Sequence, residues 1–237
     1  MNQHETQRTK SFSKRGLIFF VLIILITISC VCTDELPIPD IFGGKDEEGT
    51  GPAPAGVLFQ DDFSDANSGW EVGDYDEGSV GYKSDAYFVI SSGESSAMWG
   101  VAGKDYDNIV IEVDVTQVRA PSNNNNDYGV MCRVQFTGDG YSFNISGDGY
   151  YSIQIAENDN YRDLVEWSES SAIHTGNATN HIRVVCDGSK LVLFVNGTKL
   201  AETTDTTFTK GDIAFAATTY ELELTEINFD NLIVRKP

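Results

Sequence analysis

Glu112 and Asp114 stand two residues apart in the stretch Glu-Val-Asp-Val-Thr-Gln, residues 112–117. A strand repeats its side-chain direction every two residues, so both carboxylates would share one face. Acid–base work needs one carboxyl to give a proton while its partner takes one. Thr116 and Gln117 follow, and an amide hydrogen-bonds but does not transfer a proton as a carboxyl does. The ordinary reading of the stretch is a solvated polar face opposite Ile111 and Val113. The histidines, His4, His174 and His181, show no metal-binding spacing, and no Ser-His-Asp or Cys-His set can be assembled around them. Cys30 and Cys32 have no histidine nearby to complete a metal site. No catalytic residue is expected.

Binding chemistry is better represented. Arg133 and Gln135 alternate with apolar residues, as do Ser142 and Asn144, then Ser152 and Gln154. If those three strands are neighbours, these side chains form one polar patch suited to hydroxyl groups. Tyr150 is out of register with Tyr151, Ile153 and Ile155 and should face the same way as the patch. Tyr161 sits in a polar turn. Trp70, Trp99 and Trp167 are further aromatics available for stacking, although core or corner packing is their ordinary use. Cys132 and Cys186 each fall on the apolar side of a strand, and two such cysteines outside the cytoplasm are often bridged. Free buried thiols are the alternative. Gly-Asp-Gly-Tyr occurs at 138–141 and again at 147–150. The nine-residue spacing fits one strand between two tight turns, with Asp-Gly supplying the turn residues. It lacks the alternating acids and closing glutamate of an EF-hand calcium loop.

These residues require strands to position them, and the sequence supplies strands. Residues 108–118 alternate around Ile109, Ile111, Val113 and Val115, and 128–136 around Tyr128, Val130, Cys132, Val134 and Phe136. Further period-two runs continue to Val234, with short polar turns and no amphipathic helix of three turns. The expected class is all-β, an antiparallel two-sheet sandwich over residues 57–237. The run Pro-Ser-Asn-Asn-Asn-Asn-Asp, 121–127, reads as a mobile loop between two long strands.

Residues 33–56 hold four of the six prolines and five glycines, and read as an extended acidic tether. Residues 1–32 carry Arg8, Lys10, Lys14 and Arg15, then an uncharged apolar run. At ~16 residues it is short of the ~20 that span a bilayer. A basic flank, an apolar core and a small residue make a secretory signal. Lipidation at Cys30 after cleavage, an uncleaved signal anchor and plain secretion stay open. All three place the domain outside the cytoplasmic membrane, with the membrane as a partner through the N-terminus in the first two. The formal net charge is -20, and the surface it implies repels phosphate backbones, so nucleic acid is not an expected partner.

Three sets of residues carry a resemblance. Ser29-Cys30 resembles the end of a bacterial lipobox, although Thr27 and Ile28 depart from it. Leu58–Trp70 at one end and Ile227–Val234 at the other, with the strands between, resemble laminin-G-like, concanavalin A-like jelly-roll domains of bacterial lipoproteins and secreted proteins. The resemblance implies adjacent first and last strands and a curved sheet whose concave face is the usual glycan groove. The expected role is a tethered, non-catalytic binding module for a glycan or other surface polymer, with Arg133, Gln135, Asn144, Tyr150 and Gln154 as the candidate face. A glycoside hydrolase and a protein-interaction domain are the alternatives. Residues 112–117 resemble the catalytic strand of family 16 glucanases, with Thr116 and Gln117 where its last glutamate belongs, so the resemblance implies no glucanase mechanism. The superfamily also makes calcium a possible cofactor. Asp61, Asp62, Asp65, Asp230 and Asn231 would supply oxygens near the two chain ends.

Overall fold

A computed structural model describes residues 56–237 other than Asp159. The leader, the tether and Cys30 lie outside the described residues. Fifteen strands follow one another: β1 (Val57–Asp61), β2 (Gly73–Tyr75), β3 (Gly78–Tyr82), β4 (Tyr87–Ser91), β5 (Ser96–Val101), β6 (Ile109–Arg119), β7 (Asn126–Val134) and β8 (Gly140–Ser146). Then come β9 (Tyr150–Glu157), β10 (Asn160–Glu169), β11 (Thr179–Asp187), β12 (Lys190–Val195), β13 (Thr198–Thr204), β14 (Asp212–Thr219) and β15 (Thr225–Arg235). All the pairings are antiparallel.

The strands form two sheets. One has nine strands in the order β13-β12-β11-β6-β15-β4-β3-β2, with β1 also on β15; the other has six in the order β10-β9-β8-β7-β14-β5. The first and last strands are therefore adjacent, with Asp61 opposite Leu232. Period-two alternation sends Ile111, Val113 and Val115 of one sheet and Phe143, Ile145 and Ile153 of the other into a shared core, all essentially inaccessible. Trp70 stacks on Phe215 with ring centroids 4.5 Å apart, and Phe215 on Phe229 at 4.1 Å. Aromatic stacking of this kind contributes about 0.5–1.5 kcal/mol beyond area burial.

Cys132 of β7 is bonded to Cys186 of β11, so the disulfide joins one sheet to the other, with Cα atoms 6.9 Å apart. The loop it closes spans 54 residues of sequence separation. In the chain-entropy model such a crosslink stabilises the fold by about 4 kcal/mol.

Two features depart from the simple alternation. Cys132 pairs with Ile213 and Val134 with Asp212, leaving Arg133 as an extra residue in a β-bulge, at φ 55°. The bulge reverses the register of the residues after it: Val134 leaves the core side, and Phe136 is 88% exposed rather than inward. The loop before β7 is also not free. Glu221 Oε1 accepts hydrogen bonds from Asn123 Nδ2 and Asn125 Nδ2, both at 2.9 Å, and Glu223 Oε2 accepts from Ser122 N. The asparagine run is thus clamped to the β14–β15 loop.

Candidate functional site

The two sheets each turn one face away from the core. On the nine-stranded sheet that face is charged. Glu112 and Asp114 both lie there, on β6. Glu112 Oε1 accepts from the Arg235 guanidinium, and Asp114 Oδ1 lies 2.8 Å from His181 Nδ1 and its Oδ2 3.0 Å from Asn231 Nδ2. His181 Nε2 is 3.7 Å from Glu112. Each carboxylate is already engaged by charged or amide neighbours. Gln117, further along β6, is bonded through its amide to Asn124 and Asn126.

The outward face of the six-stranded sheet is built differently, and strand register lays it out in rows. One row runs Val101, Ala214, Met131, Ser142, Gln154, Asp163 across β5, β14, β7, β8, β9 and β10. The next runs Trp99, Ala216, Gly129, Asn144, Ser152. A third holds Ala97, Thr218, Asp127 and Ser146, with Tyr150 opposite Glu169. One half is apolar: Trp99, Met131, Val134 and Ala214 cluster there, separate from the main core, with Val101 and Ala216 against them. The other half is polar. Between them the second row carries only Ala216 and Gly129, so the floor is low.

The polar half is a directed chain of hydrogen bonds. Ser142 Oγ donates to Asn144 Oδ1 at 2.6 Å, Asn144 Nδ2 to Gln154 Oε1 at 3.0 Å, and Gln154 Nε2 to Asp163 Oδ1 at 2.6 Å. A carboxylate only accepts, so Asp163 fixes which end of the Gln154 amide faces it. Gln154 then fixes Asn144, and Asn144 fixes the serine hydroxyl. Each bond in such a chain polarises the next. The chain leaves one N–H on each amide and the second Asp163 oxygen for other partners. Ser152 Oγ, beside Asn144, makes no hydrogen bond among the described residues. At the head of this face Tyr220 donates its hydroxyl to Asp127 Oδ2. The clamp of Asn125 and Asn123 holds the Glu221 carboxyl below its usual range.

The polar patch expected from alternation is therefore divided. Asn144, Gln154 and Tyr150 come together on this face. Arg133 and Gln135 do not join them, because the bulge turns both aside. Arg133 is 1% exposed. Its guanidinium donates to Phe208 O at 2.9 Å, Asp107 O at 3.1 Å and Asn108 Oδ1 at 3.3 Å. It braces the loops around an open cleft of about 910 Å³ lined in part by Asp105, Asp107, Asp187 and Lys210. Gln135 Nε2 donates to Arg133 O and Lys210 O. The residues that sequence reasoning does not assign to this face are Trp99, Met131, Val134, Ala214 and Asp163. In the sequence Trp99 is one available aromatic among several. The strand Ser-Ala-Met-Trp-Gly-Val places apolar residues on both sides, so no polar contrast marks its outward face.

The aspartates expected to offer oxygens to calcium serve turns. Asp61 Oδ1 accepts from Phe63 N and its Oδ2 from Ser68 Oγ; Asp62 accepts from Ser64 N and Oγ; Asp230 accepts from Asn231 N. Among the described residues no three His, Cys, Asp or Glu gather where they could share a metal ion. Nor is any helix among the described residues long and apolar enough to cross a membrane.

Known proteins share this arrangement of sheets. A family model described as a 3-keto-alpha-glucoside-1,2-lyase-like domain matches residues 55–235. No curated protein sequence matches the chain. Solved structures do. The carbohydrate-binding module CBM66 from Bacillus subtilis is similar at 13% identity, over 71% of this chain and 96% of that one, with a TM-score of 0.59. A Bacillus licheniformis beta-glucanase is similar at 12% identity, over 78% and 100%, with a TM-score of 0.60. A glycoside hydrolase family 16 endo-glucanase from Bacteroides ovatus is similar at 13% identity, over 75% and 100%, with a TM-score of 0.53. At these identities the likeness is one of fold, the concanavalin A-like jelly roll, which both binding modules and hydrolases use.

Proposed function

The chain belongs to the 3-keto-alpha-glucoside-1,2-lyase-like domain family, and on that premise we propose that it is a saccharide-binding domain whose site is the outward face of the six-stranded sheet. One observation carries the reading: that face is split into an apolar half around Trp99 and a polar half of Ser142, Asn144, Gln154 and Asp163, with a floor of Ala216 and Gly129 between. A pyranose is split in the same way. Its C–H face stacks on an aromatic ring, and its hydroxyls need fixed donors and acceptors. The hydrogen-bond chain supplies these pre-oriented. On the opposite sheet Glu112 is ion-paired with Arg235, and Asp114 is hydrogen-bonded to His181 and Asn231.

The domain would stand outside the cytoplasmic membrane, held there by its N-terminal segment, through lipid on Cys30 or an uncleaved anchor. An interface with another envelope protein is the remaining non-catalytic alternative. A panel of immobilised glycans tests the binding reading. Wild type should retain a subset, and Trp99→Ala and Asn144→Ala should each release it. A panel with no retained glycan, or retention indifferent to both changes, would refute it. Labelled palmitate incorporated into wild type and lost in Cys30→Ser tests the anchor.

Catalysis is favoured as a second reading by the family description alone. An enzyme that cleaves between C1 and its oxygen in a 3-keto glucoside must remove the C2 proton, which the C3 carbonyl acidifies, while the C1 oxygen departs with a proton. Asp163, positioned by Gln154, is the carboxylate on this face best placed for the base. Incubation with a 3-keto glucoside, followed for release of the C1 alcohol, decides it. Release by wild type that is abolished in Asp163→Asn would make the domain an enzyme.

A further inference from the structure

Phe136 is the residue on this domain whose exposure is hardest to account for by folding. It lies at the tip of the β7–β8 hairpin with 88% of its surface in water. The tip that carries it is well held. Gln135 N donates to Asp139 O at 2.8 Å and Gly138 N to Gln135 O at 2.9 Å. Gln135 Nε2 ties the tip to Lys210 O, and Asp139 Oδ1 accepts from Asn158 N of the next hairpin. Water and the hydrophobic effect would favour a phenyl folded back onto the sheet, but a tip pinned on three sides holds it out.

The same tip touches the site. Gly138 has φ 90°, and a Cβ built there would stand 2.8 Å from Trp99 Cζ2. Only glycine lets the hairpin approach the indole edge so closely. Phe136 is two residues along the same tip from that contact. A single sugar on Trp99 does not need it. A chain that continues over the hairpin does.

We infer that Phe136 is a second stacking platform, and that the site accepts an oligosaccharide of several units with Trp99 and Phe136 gripping different sugars. This rests on the saccharide-binding reading of the sheet face. It makes Phe136 a determinant of chain-length preference rather than of sugar identity. Stacking on an exposed ring is sequence-tolerant and adds to affinity only when ligand reaches it.

The test is calorimetric titration of the whole domain with ladders of α- and β-linked gluco-oligosaccharides of two to eight units. Wild type should bind longer members more tightly. Phe136→Ala should leave the shortest bound member unchanged and weaken the longest about five- to tenfold, since stacking of this size is close to one tenfold step in affinity. Phe136→Trp should restore the length dependence. Trp99→Ala should weaken every length. Loss in Trp99→Ala with no length-dependent change in Phe136→Ala would overturn the Phe136 platform and leave the sheet-face site standing. No binding by wild type to either ladder, or binding unaffected by Trp99→Ala, would overturn both. Because Phe136 contributes little to the core, the alanine variant should unfold at the wild-type temperature.

Discussion

The two outward faces of this sandwich are made from the same kind of strand and differ in how their side chains are arranged. On the nine-stranded sheet, Glu112, Asp114, His181 and Arg235 satisfy one another, and Arg183 lies over the Phe194 ring at 3.6 Å from its centroid. On the six-stranded sheet, an apolar cluster stands beside a hydrogen-bond chain that ends in open valences. Surface ion pairs contribute little to stability and keep a face soluble. An apolar patch next to oriented polar groups is what a ligand with two unlike sides would fill. Density of charge draws attention to Glu112 and Asp114, whereas the contrast of apolar and polar halves lies on the other sheet.

The largest blow to the comparison would come from separating the sheets that carry the faces. Cys132→Ser with Cys186→Ser removes the link between β7 and β11. The expected loss is about 4 kcal/mol. For a domain of this size that lowers the melting temperature by about 8–16 °C in calorimetry. A change under a few degrees would show that the sheets hold together without the bond. Next in size is Trp99→Ala, expected to weaken glycan binding on the six-stranded face at least tenfold by titration, since one buried stacking contact and its area go together. Glu112→Gln is the matched control on the other face. It should change binding by less than twofold and stability by less than about 1 kcal/mol, the usual size of an exposed ion pair. A larger binding effect from Glu112→Gln than from Trp99→Ala would invert the comparison.

The smallest effect concerns the rim. Hydrogen bonds from Asn125 and Asn123 hold the Glu221 carboxyl below its ordinary 4.5. A depressed acid stabilises the fold above its unfolded value, and that contribution is lost as pH falls through the folded value. The clamp on residues 120–125 should therefore be intact at neutral pH and loosen below the ordinary carboxylate range. Faster amide exchange in that loop at low pH, absent in Glu221→Gln, would show it. Exchange that is independent of pH would remove the clamp from the account of the site.

Legibility from sequence is uneven, and particular residues show why. Ile111, Val113 and Val115 announce their strand because they alternate with polar neighbours. Asn144 and Gln154 are placed correctly for the same reason. Gly-Asp-Gly-Tyr reads as turn chemistry, and Gly149 at φ 98° and Gly140 at φ 157° take positive φ as expected, joined at the first turn by Gly138 at φ 90°. Arg133 defeats pattern reading because one extra residue in β7 reverses everything after it. The cause lies in its partner strand β14, far along the chain. Trp99 is hidden because its neighbours are apolar on both sides. Strands β2 and β3 are short and glycine-bearing, with no alternation to detect.

By itself the sequence determined what is local. Period-two patterning prescribes strands, their polar and apolar sides and the turns between them. The positions of Cys132 and Cys186 on inward sides made a bridge possible. Tertiary structure decided everything that depends on which strands become neighbours and in what register. It set Trp99 in line with Asn144 through Ala216 and Gly129. It turned Arg133 into the end of the sandwich and put Glu112 and Asp114 on the opposite sheet from the candidate site. The physical reason is that alternation constrains each strand separately, whereas a row across a sheet is fixed by pairings between residues far apart in the chain.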